Sequence, residues 1–595
     1  VAVEQTVEQG VERELEDGAV EAGSEHHDRR WIALLILSLS LMLVIMDGTI
    51  VNVAIPSITQ DFNSTFRDAE WVNTVYSLVF AATLILWGKI GDQYGRRRLF
   101  LMGVVLFGVG SALVGASSSV GMLVAMRALQ GLGAAILSPS TLSIVTTTFR
   151  GRERGIAFGV WGATAGVAAA LGPLLGGWVV DHASWRWAFY INIPIVILAF
   201  IGALWAIRES RDPASRRYFD VTGTLLGGLG LGGLVFGIIE GQTYGWWKPT
   251  EDFSVLGVAW PFESFSIVPF SIIGGLILLA IFTWYERRLE RAGVEPIFEF
   301  SLLRFRSYRF GMIIGMIVNL GEIGVLFAVS LFLQGTKGLS AFDTGLALLP
   351  LAGAAFFAAP FAGSFSSRLG PKWIVTAGMV IEAIALLILS QIIDVDVRVT
   401  SVAAVLGLYG LGLGLAIAQL TNLVLFDIPA PKAGIASGGN STIRQVGSAL
   451  GIAIIGTVLT TTTATRFKED FAASPVLAES PIAAMQPVWI EMAKQPVNFD
   501  FVEVLEAGMS GGDESGEGRP SALAQLFASM DLAPQGEALN QVVLDARSEG
   551  MARAALAGCA FIAVGALSSL ALPNPREGAR APVAARAAPK EAAAR

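Results

Sequence analysis

Asp47, Arg127, Glu322 and Arg444 are ionisable residues set inside long apolar stretches of the chain, where a charge is expensive to hold and is a functional candidate by default. Asp47 lies nine residues before Pro56, where its stretch ends, and Arg127 lies seven residues after Val120, where its own begins. Helical rise puts the two about 13 Å and about 10 Å below the same membrane face. A carboxylate there responds to burial and to a neighbouring cation, so protonation and cation occupancy compete for one charge. Glu322 and Arg444 fall about 20 Å and about 18 Å from the other face, a second acid and base at one depth. Asn319 stands one turn before Glu322 on the same side. A static strut is the alternative for either pair. Glu382 is also mid-stretch, where an interhelical hydrogen bond or a protonated carboxyl would account for it. Gln419 and Asn422, three apart, offer polar contacts to a ligand or polar glue between helices.

Composition says what kind of elements must position these groups. The chain has 595 residues, 53% hydrophobic and 15% charged, against about 25% charged in soluble domains. It reads as a polytopic membrane protein. A net charge of -8, from 49 acidic and 41 basic residues, argues against a nucleic-acid partner. A single cysteine, Cys559, excludes an internal disulfide, and His26, His27 and His182 are too scattered for a metal cluster. No GxxxxGK[ST] loop is present, which argues against a nucleotide-driven pump. No cofactor is expected. The first 30 residues have no apolar core of the signal-peptide kind, so no cleaved leader is expected.

A span needs roughly 20 apolar residues, and 14 such runs can be counted, from Trp31 to Pro56 through Met551 to Leu572. With the N-terminus inside, the inner connections collect the Arg and Lys, including Arg96 to Arg98, Arg208 to Arg217 and Arg287 to Arg309. The short outer loops hold only Arg67, Arg186, Lys248, Lys337 and Arg398. That asymmetry supports an even count with both termini cytoplasmic. The organisation expected is an acidic, disordered tail over 1–30, a six-helix half over 31–207, two inserted helices over 220–285, a second six-helix half over 309–572, and a tail over 573–595. An extracellular insert over 461–549 separates spans 13 and 14; its apolar stretches Pro487 to Ala493 and Leu523 to Leu532 allow a small helical cap, with Gly508 to Pro520 as a flexible break.

Between the second and third spans stands GKIGDQYGRRR, Gly88 to Arg98. Gly88 and Gly91 permit close helix approach, Asp92 can cap a helix start or pair with a nearby Arg, and the arginines hold the loop inside. The segment resembles the signature loop of the major facilitator superfamily. MDGTIVNVAIP from Met46, LVAMRALQGLGAA from Leu123, GATAGVAAALGPLLGG from Gly162, WRWAFYINIP from Trp185 and GIASGGNSTIRQVGSALG from Gly434 resemble its 14-span drug and proton antiporter branch. The resemblance covers about Trp31 to Leu459 and the last span, and does not reach the 461–549 insert.

That resemblance implies an all-α membrane fold of two six-helix halves, with an extra pair at Val221 to Ile239 and Ile267 to Tyr285, and a substrate site between the halves near the midplane. It makes the first and fourth spans cavity-lining, so Asp47, Arg127, Glu322 and Arg444 become the expected proton-coupling set. Trp71, Tyr76, Phe80, Trp161, Asn319, Phe327, Gln419 and Asn422 are expected around the substrate, and Gly88, Asp92, Arg96, Gly162, Gly166, Gly172, Pro173 and Gly176 at the gates. In the fifth span Gly162, Gly166 and Ala170 recur every four residues, a smooth strip for helix contact, and Pro173 marks a bend. The same segment is similar to the motif that separates exporters from importers.

The function expected is proton-gradient-driven export of hydrophobic or amphipathic small molecules, lipids included, by a monomer in a bacterial inner membrane. Export of an endogenous lipid or metabolite is the alternative within transport, and a sensor or assembly protein on a transporter fold the alternative outside it. Relatives that export divalent quaternary cations carry extra acids in the tenth span; here only Asp343 stands there, at the outer mouth, which favours monovalent or neutral substrates.

Overall fold

Backbone N–H and C=O groups have no water to bond in a bilayer, so long apolar runs must satisfy them internally, as helices. The computed structural model describes residues 2–64, 66–211, 220–255, 258–494 and 533–574. Among the described residues, 14 helices are long and apolar enough to cross a membrane, the number counted from the sequence. The strands among the described residues form one short hairpin, β1 (Ser254–Val255) against β2 (Val258–Ala259).

The first half comprises α1 (Ala2–Phe62), α2 (Phe66–Tyr94), α3 (Arg96–Gly115), α4 (Val120–Thr148), α5 (Gly151–His182), α6 (Trp187–Tyr190) and α7 (Asn192–Ala206). α1 is continuous through the acidic segment; the expectation of a disordered tail falls on residues whose side chains lie outside the described ones. The sixth span, expected as one helix from Trp187, breaks at Ile191 into α6 and α7. Pro194 has no N–H to give the carbonyl of Tyr190, which frees that turn to reorient. At the end of α1, Asp61 accepts from Arg186 Nη1 at 2.6 Å and Trp185 Nε1 at 3.1 Å. The Arg186 bond, then that of Trp185, holds its carboxyl below the usual carboxylate range.

α8 (Val221–Ile239) and α9 (Ile267–Arg291) are the inserted pair. Each has a side-chain cap at its start, from Asp220 to the amide of Gly223 and from Ser266 to that of Val268. Leu231, Val235 and Ile238 of α8 pack with Ala81 of α2 and Ala449 and Ala453 of the second half. The pair thus sits on the seam between the halves.

The second half comprises α10 (Arg306–Gly335), α11 (Ala341–Leu369), α12 (Pro371–Ile392), α13 (Val399–Val424), α14 (Ala433–Ala473) and the final helix, introduced here as α17 (Ala533–Ser569) after two short ones, α15 (Pro475–Ala478) and α16 (Gln486–Lys494). Antiparallel succession gathers the Arg-rich connections at one end, the basic end. At the other end α14 and α17 run well past the spans expected for them and, with α15 and α16, enclose a separate core of Phe467, Phe471, Leu477, Trp489, Leu539 and Val543. Arg547 ties this cap to the membrane part, donating to the carbonyls of Ala493 at 2.9 Å and Gly335, the last residue of α10, at 2.6 Å. Pro487 to Ala493 is helical, as its apolar pattern suggests. The Gly508 to Pro520 and Leu523 to Leu532 segments lie outside the described residues. The cap is therefore continuous with two spanning helices, and replacing Pro475 to Gln541 by a linker would uncover Phe467 and Phe471 instead of trimming a loop.

Candidate functional site

α1 and α4 bring Asp47 and Arg127 into direct contact. Arg127 Nη1 donates to Asp47 Oδ2, and both side chains are wholly buried. The other carboxylate oxygen accepts from Gln130 Nε2 at 2.7 Å and Asn192 Nδ2 at 3.0 Å. Arg127 also donates from Nη1 to Gln130 Oε1 at 2.8 Å and from Nε to the Val72 carbonyl at 3.1 Å. Its guanidinium lies 4.1 Å from the centroid of the Tyr76 ring, a cation–π contact, and Tyr76 stacks on Phe80. Asn192 reaches further, donating to Ser111 Oγ at 3.0 Å. Three helices, α1, α4 and α7, thus meet on one carboxylate, and α2 and α3 join the network through Arg127 and Asn192. Breaking such a buried pair by removing one partner costs about 3 to 5 kcal/mol.

Sequence reasoning misses Gln130, Asn192 and Ser111. Gln130 stands three residues after Arg127 and so on the same helix face, a signal that could have found it. Asn192 reaches Asp47 only because the chain breaks before it, which span counting does not reveal.

The second half is arranged differently. Glu322 of α10 and Arg444 of α14 occupy one region, and the charge of Arg444 acts on Glu322. They do not form the expected contact pair: Glu322 Oε2 is buried with no hydrogen-bond partner among the described residues, while Arg444 Nη1 reaches Thr421 Oγ1 at 3.5 Å and its guanidinium lies 6.0 Å from the Trp161 ring centroid. Equal depth did not include rotation about the helix axis, and Arg444 points across to the first half. Glu322→Gln should accordingly cost much less than the about 3 to 5 kcal/mol of a broken contact pair, read as a near-normal melting temperature in detergent. A loss of that full size would show that the pair closes in solution.

The polar residues nearby are partly satisfied, Gln419 Nε2 being buried without a partner among the described residues. Asn319 Nδ2 bonds the Gly315 carbonyl at 2.9 Å, Asn422 Nδ2 lies 3.5 Å from Gln419 Oε1, and Trp161 Nε1 donates to Thr141 Oγ1 at 3.3 Å. Phe327 faces Gly456 of α14, whose Cβ would stand 3.3 Å from its ring. Trp71 departs from its expected place: it stacks on Phe236 of α8 in the packing of the inserted pair, because α2 has that pair as a neighbour as well as the first half. Asp343 is engaged at the start of α11, where Ser340 Oγ donates to its carboxylate at 2.8 Å and accepts from its amide at 3.0 Å.

At the basic end the halves are latched. Asp92 of α2 accepts from the amides of Gly434 and Ile435, both at 2.9 Å, so a first-half carboxylate caps the start of α14 and meets its positive dipole end. Arg96 donates to Asp92 at 2.6 Å and to the carbonyls of Ala430 and Pro431 at 2.9 and 3.1 Å. A Cβ on Gly88 would stand 2.4 Å from the Gly434 carbonyl oxygen, so only glycine allows this crossing. The connection after α9 straps both sides: Glu295 pairs with Lys89 at 2.8 Å and Glu299 with Lys432. In α5 the glycines divide between two partners. Cβ atoms on Gly162 and Gly166 would meet Ile417 of α13 and Ala355 of α11, across the halves, whereas those on Gly172 and Gly176 would meet Thr49 and Ile50 of α1. Gly177, next to Gly176, faces across the halves again, where its Cβ would stand 2.7 Å from the Phe342 amide of α11.

Comparison with known proteins bears on this geometry. The chain is 33% identical to the tetracenomycin C resistance and export protein of Streptomyces glaucescens over 75% of its own length and 78% of that protein's. It is 33% identical to the puromycin resistance protein pur8 of Streptomyces alboniger over 75% and 85%, and 34% identical to the multidrug resistance protein Stp of Mycobacterium tuberculosis over 72% and 75%. The model of the Major Facilitator Superfamily matches residues 37–452, which take in the Asp47 network, the basic-end latch and both halves up to α14, and the chain therefore belongs to the Major Facilitator Superfamily.

Proposed function

We propose that the protein is a proton-coupled antiporter exporting amphipathic organic molecules from the cytoplasm by alternating access, with the basic end cytoplasmic in a bacterial inner membrane. The observation that carries this reading is the Asp47–Arg127 pair, wholly buried yet made of groups able to exchange a proton for a counter-charge. With Arg127 in place Asp47 needs no proton; when Arg127 is drawn away, a lone buried carboxylate must take one, and that choice biases one access state over the other. Glu322 is the matching acid in the second half, lacking a contact cation and so open to a proton or a cationic substrate. Aromatic side chains, Tyr76, Phe80, Trp161 and Phe327, border the polar positions, a lining suited to varied apolar shapes. The relatives' names, for resistance to tetracenomycin C, to puromycin and to multiple drugs, support efflux of drug-like molecules. In this reading the proton gradient is the sole driver and a monomer the working unit.

The test is ethidium transport by the full chain in proteoliposomes under an imposed pH gradient. Ethidium should move against the proton flux and stop on adding a protonophore; gradient-independent movement would overturn the coupling. Propidium, the divalent analogue, should be carried far less, because the acid of α11, Asp343, is already spent on the Ser340 cap. Equal transport of both dyes would remove that limit on substrate charge.

A further inference from the structure

Glu382 is wholly buried midway along α12, and neither carboxyl oxygen has a hydrogen-bond partner among the described residues. Its stem lies over α13, where a Cβ on Gly412 would stand 2.8 Å from Glu382 Cγ. One turn before Gly412, Tyr409 is also wholly buried with its hydroxyl unpartnered. Glu322 Oε2 is a third buried group of this kind. The three lie near enough for the charge of Glu322 to act on Glu382 and for both carboxylates to act on Tyr409. Arg444 acts on Glu322 from α14, and from α17 Cys559 donates its thiol to the Ala383 carbonyl at 3.2 Å, turned to the backbone beside the cluster. A structural acid at this depth would be expected to bond a neighbouring helix. Unsatisfied buried polar atoms are few in native proteins and call for a proton, an ion or ordered water. Here four such oxygens, on three helices, belong to one neighbourhood.

We propose that Glu382 is a second proton-carrying site of the transporter, exchanging its proton with Glu322 by way of Tyr409 and intervening water. The Glu382 carboxyl gives its proton toward the Tyr409 oxygen while the Tyr409 hydroxyl passes its own toward the Glu322 carboxylate. One O–H bond breaks at Glu382, one forms at Glu322, Tyr409 ends as the phenol it began as, and no further reactant is needed. This deepens the proton-coupled reading of Glu322 and rests on it. It gives the second half a reservoir that holds a proton while a cationic substrate occupies the Glu322 side.

Three measurements on the full chain decide the matter. Infrared spectra should show the high-frequency C=O band of a protonated carboxyl without hydrogen bonds, lost in Glu382→Gln and kept in Glu322→Gln; a band that survives Glu382→Gln overturns the site. Glu382→Met should melt no lower than wild type, since it removes a buried polar group that has no partner; a marked fall would assign Glu382 to structure. In proteoliposomes Glu382→Gln should move one proton fewer per ethidium, and Tyr409→Phe should slow the proton-driven rate while leaving ethidium exchange at equal pH intact. An unchanged proton count and an unchanged Tyr409→Phe rate would overturn the relay. If wild type moves no protons with ethidium, the antiport reading fails and the relay with it, whereas the band, which needs no transport, separately decides whether Glu382 holds a proton.

Discussion

Asp47→Asn should reduce proton-driven export to background while the protein still inserts. The amide keeps the shape of the carboxylate but not its charge or its acceptors. Asp47 Oδ1 takes two amide donors, from Gln130 and Asn192, and Oδ2 takes Arg127. Whichever way the asparagine turns, its NH2 group meets a donor, and Arg127 is left buried without a counter-charge. The expected cost is about 3 to 5 kcal/mol, a large part of a native protein's margin, so a lowered melting temperature must be separated from lost coupling. Asp47→Asn with Arg127→Gln removes both charges and lets one amide accept from the other. The double variant should regain part of the stability and catalyse ethidium exchange at equal pH, yet remain unresponsive to the gradient. Full gradient-driven transport by Asp47→Asn would make the pair a strut and place the proton site elsewhere.

How far the sequence discloses the site depends on which coordinate a residue type reveals. Depth is legible, because rise per residue and the ends of apolar runs give it directly; hence Asp47 and Arg127 can be paired from their positions in the chain alone. Azimuth is not. Lipid and protein core are both apolar, so a spanning helix lacks the polar stripe that tells a soluble helix which way to face. Glu322 and Arg444 share a depth and fail to touch for this reason, and Trp71 turns to the inserted pair for the same one. The span count is legible because the bilayer permits only helices there, but the break at Ile191 depends on one missing N–H at Pro194 and decides where Asn192 points. The strap is illegible in another way: Glu295 and Glu299 sit in a connection without periodicity, and their partners Lys89 and Lys432 are hundreds of residues apart from each other in the chain.

Gly88→Ala should trap the transporter with its basic end open. In the latched state an added Cβ would stand 2.4 Å from the Gly434 carbonyl oxygen and 3.1 Å from Gly438 Cα. Both are backbone atoms, so no rotamer change relieves the clash and α2 must move away from α14. Overpacking of this kind costs about 1 to 3 kcal/mol, and it weighs only on the state in which the helices touch. At about 1.4 kcal/mol per factor of ten, the latched population falls from several-fold to more than a hundredfold relative to the open one, and alternating access stalls. Ile435, 3% exposed beneath the latch, reports on this: in a Cys559→Ser background, Ile435→Cys should react with an impermeant maleimide from the basic side much faster once Gly88→Ala is added. Asp92→Asn, which weakens the cap on the Gly434 and Ile435 amides without adding bulk, should shift labelling the same way by less. Unchanged labelling in Gly88→Ala would show that the crossing of α2 and α14 is a fixed contact and that the gate closes elsewhere. Faster labelling with undiminished ethidium export would show that the latch opens as drawn but does not limit the cycle.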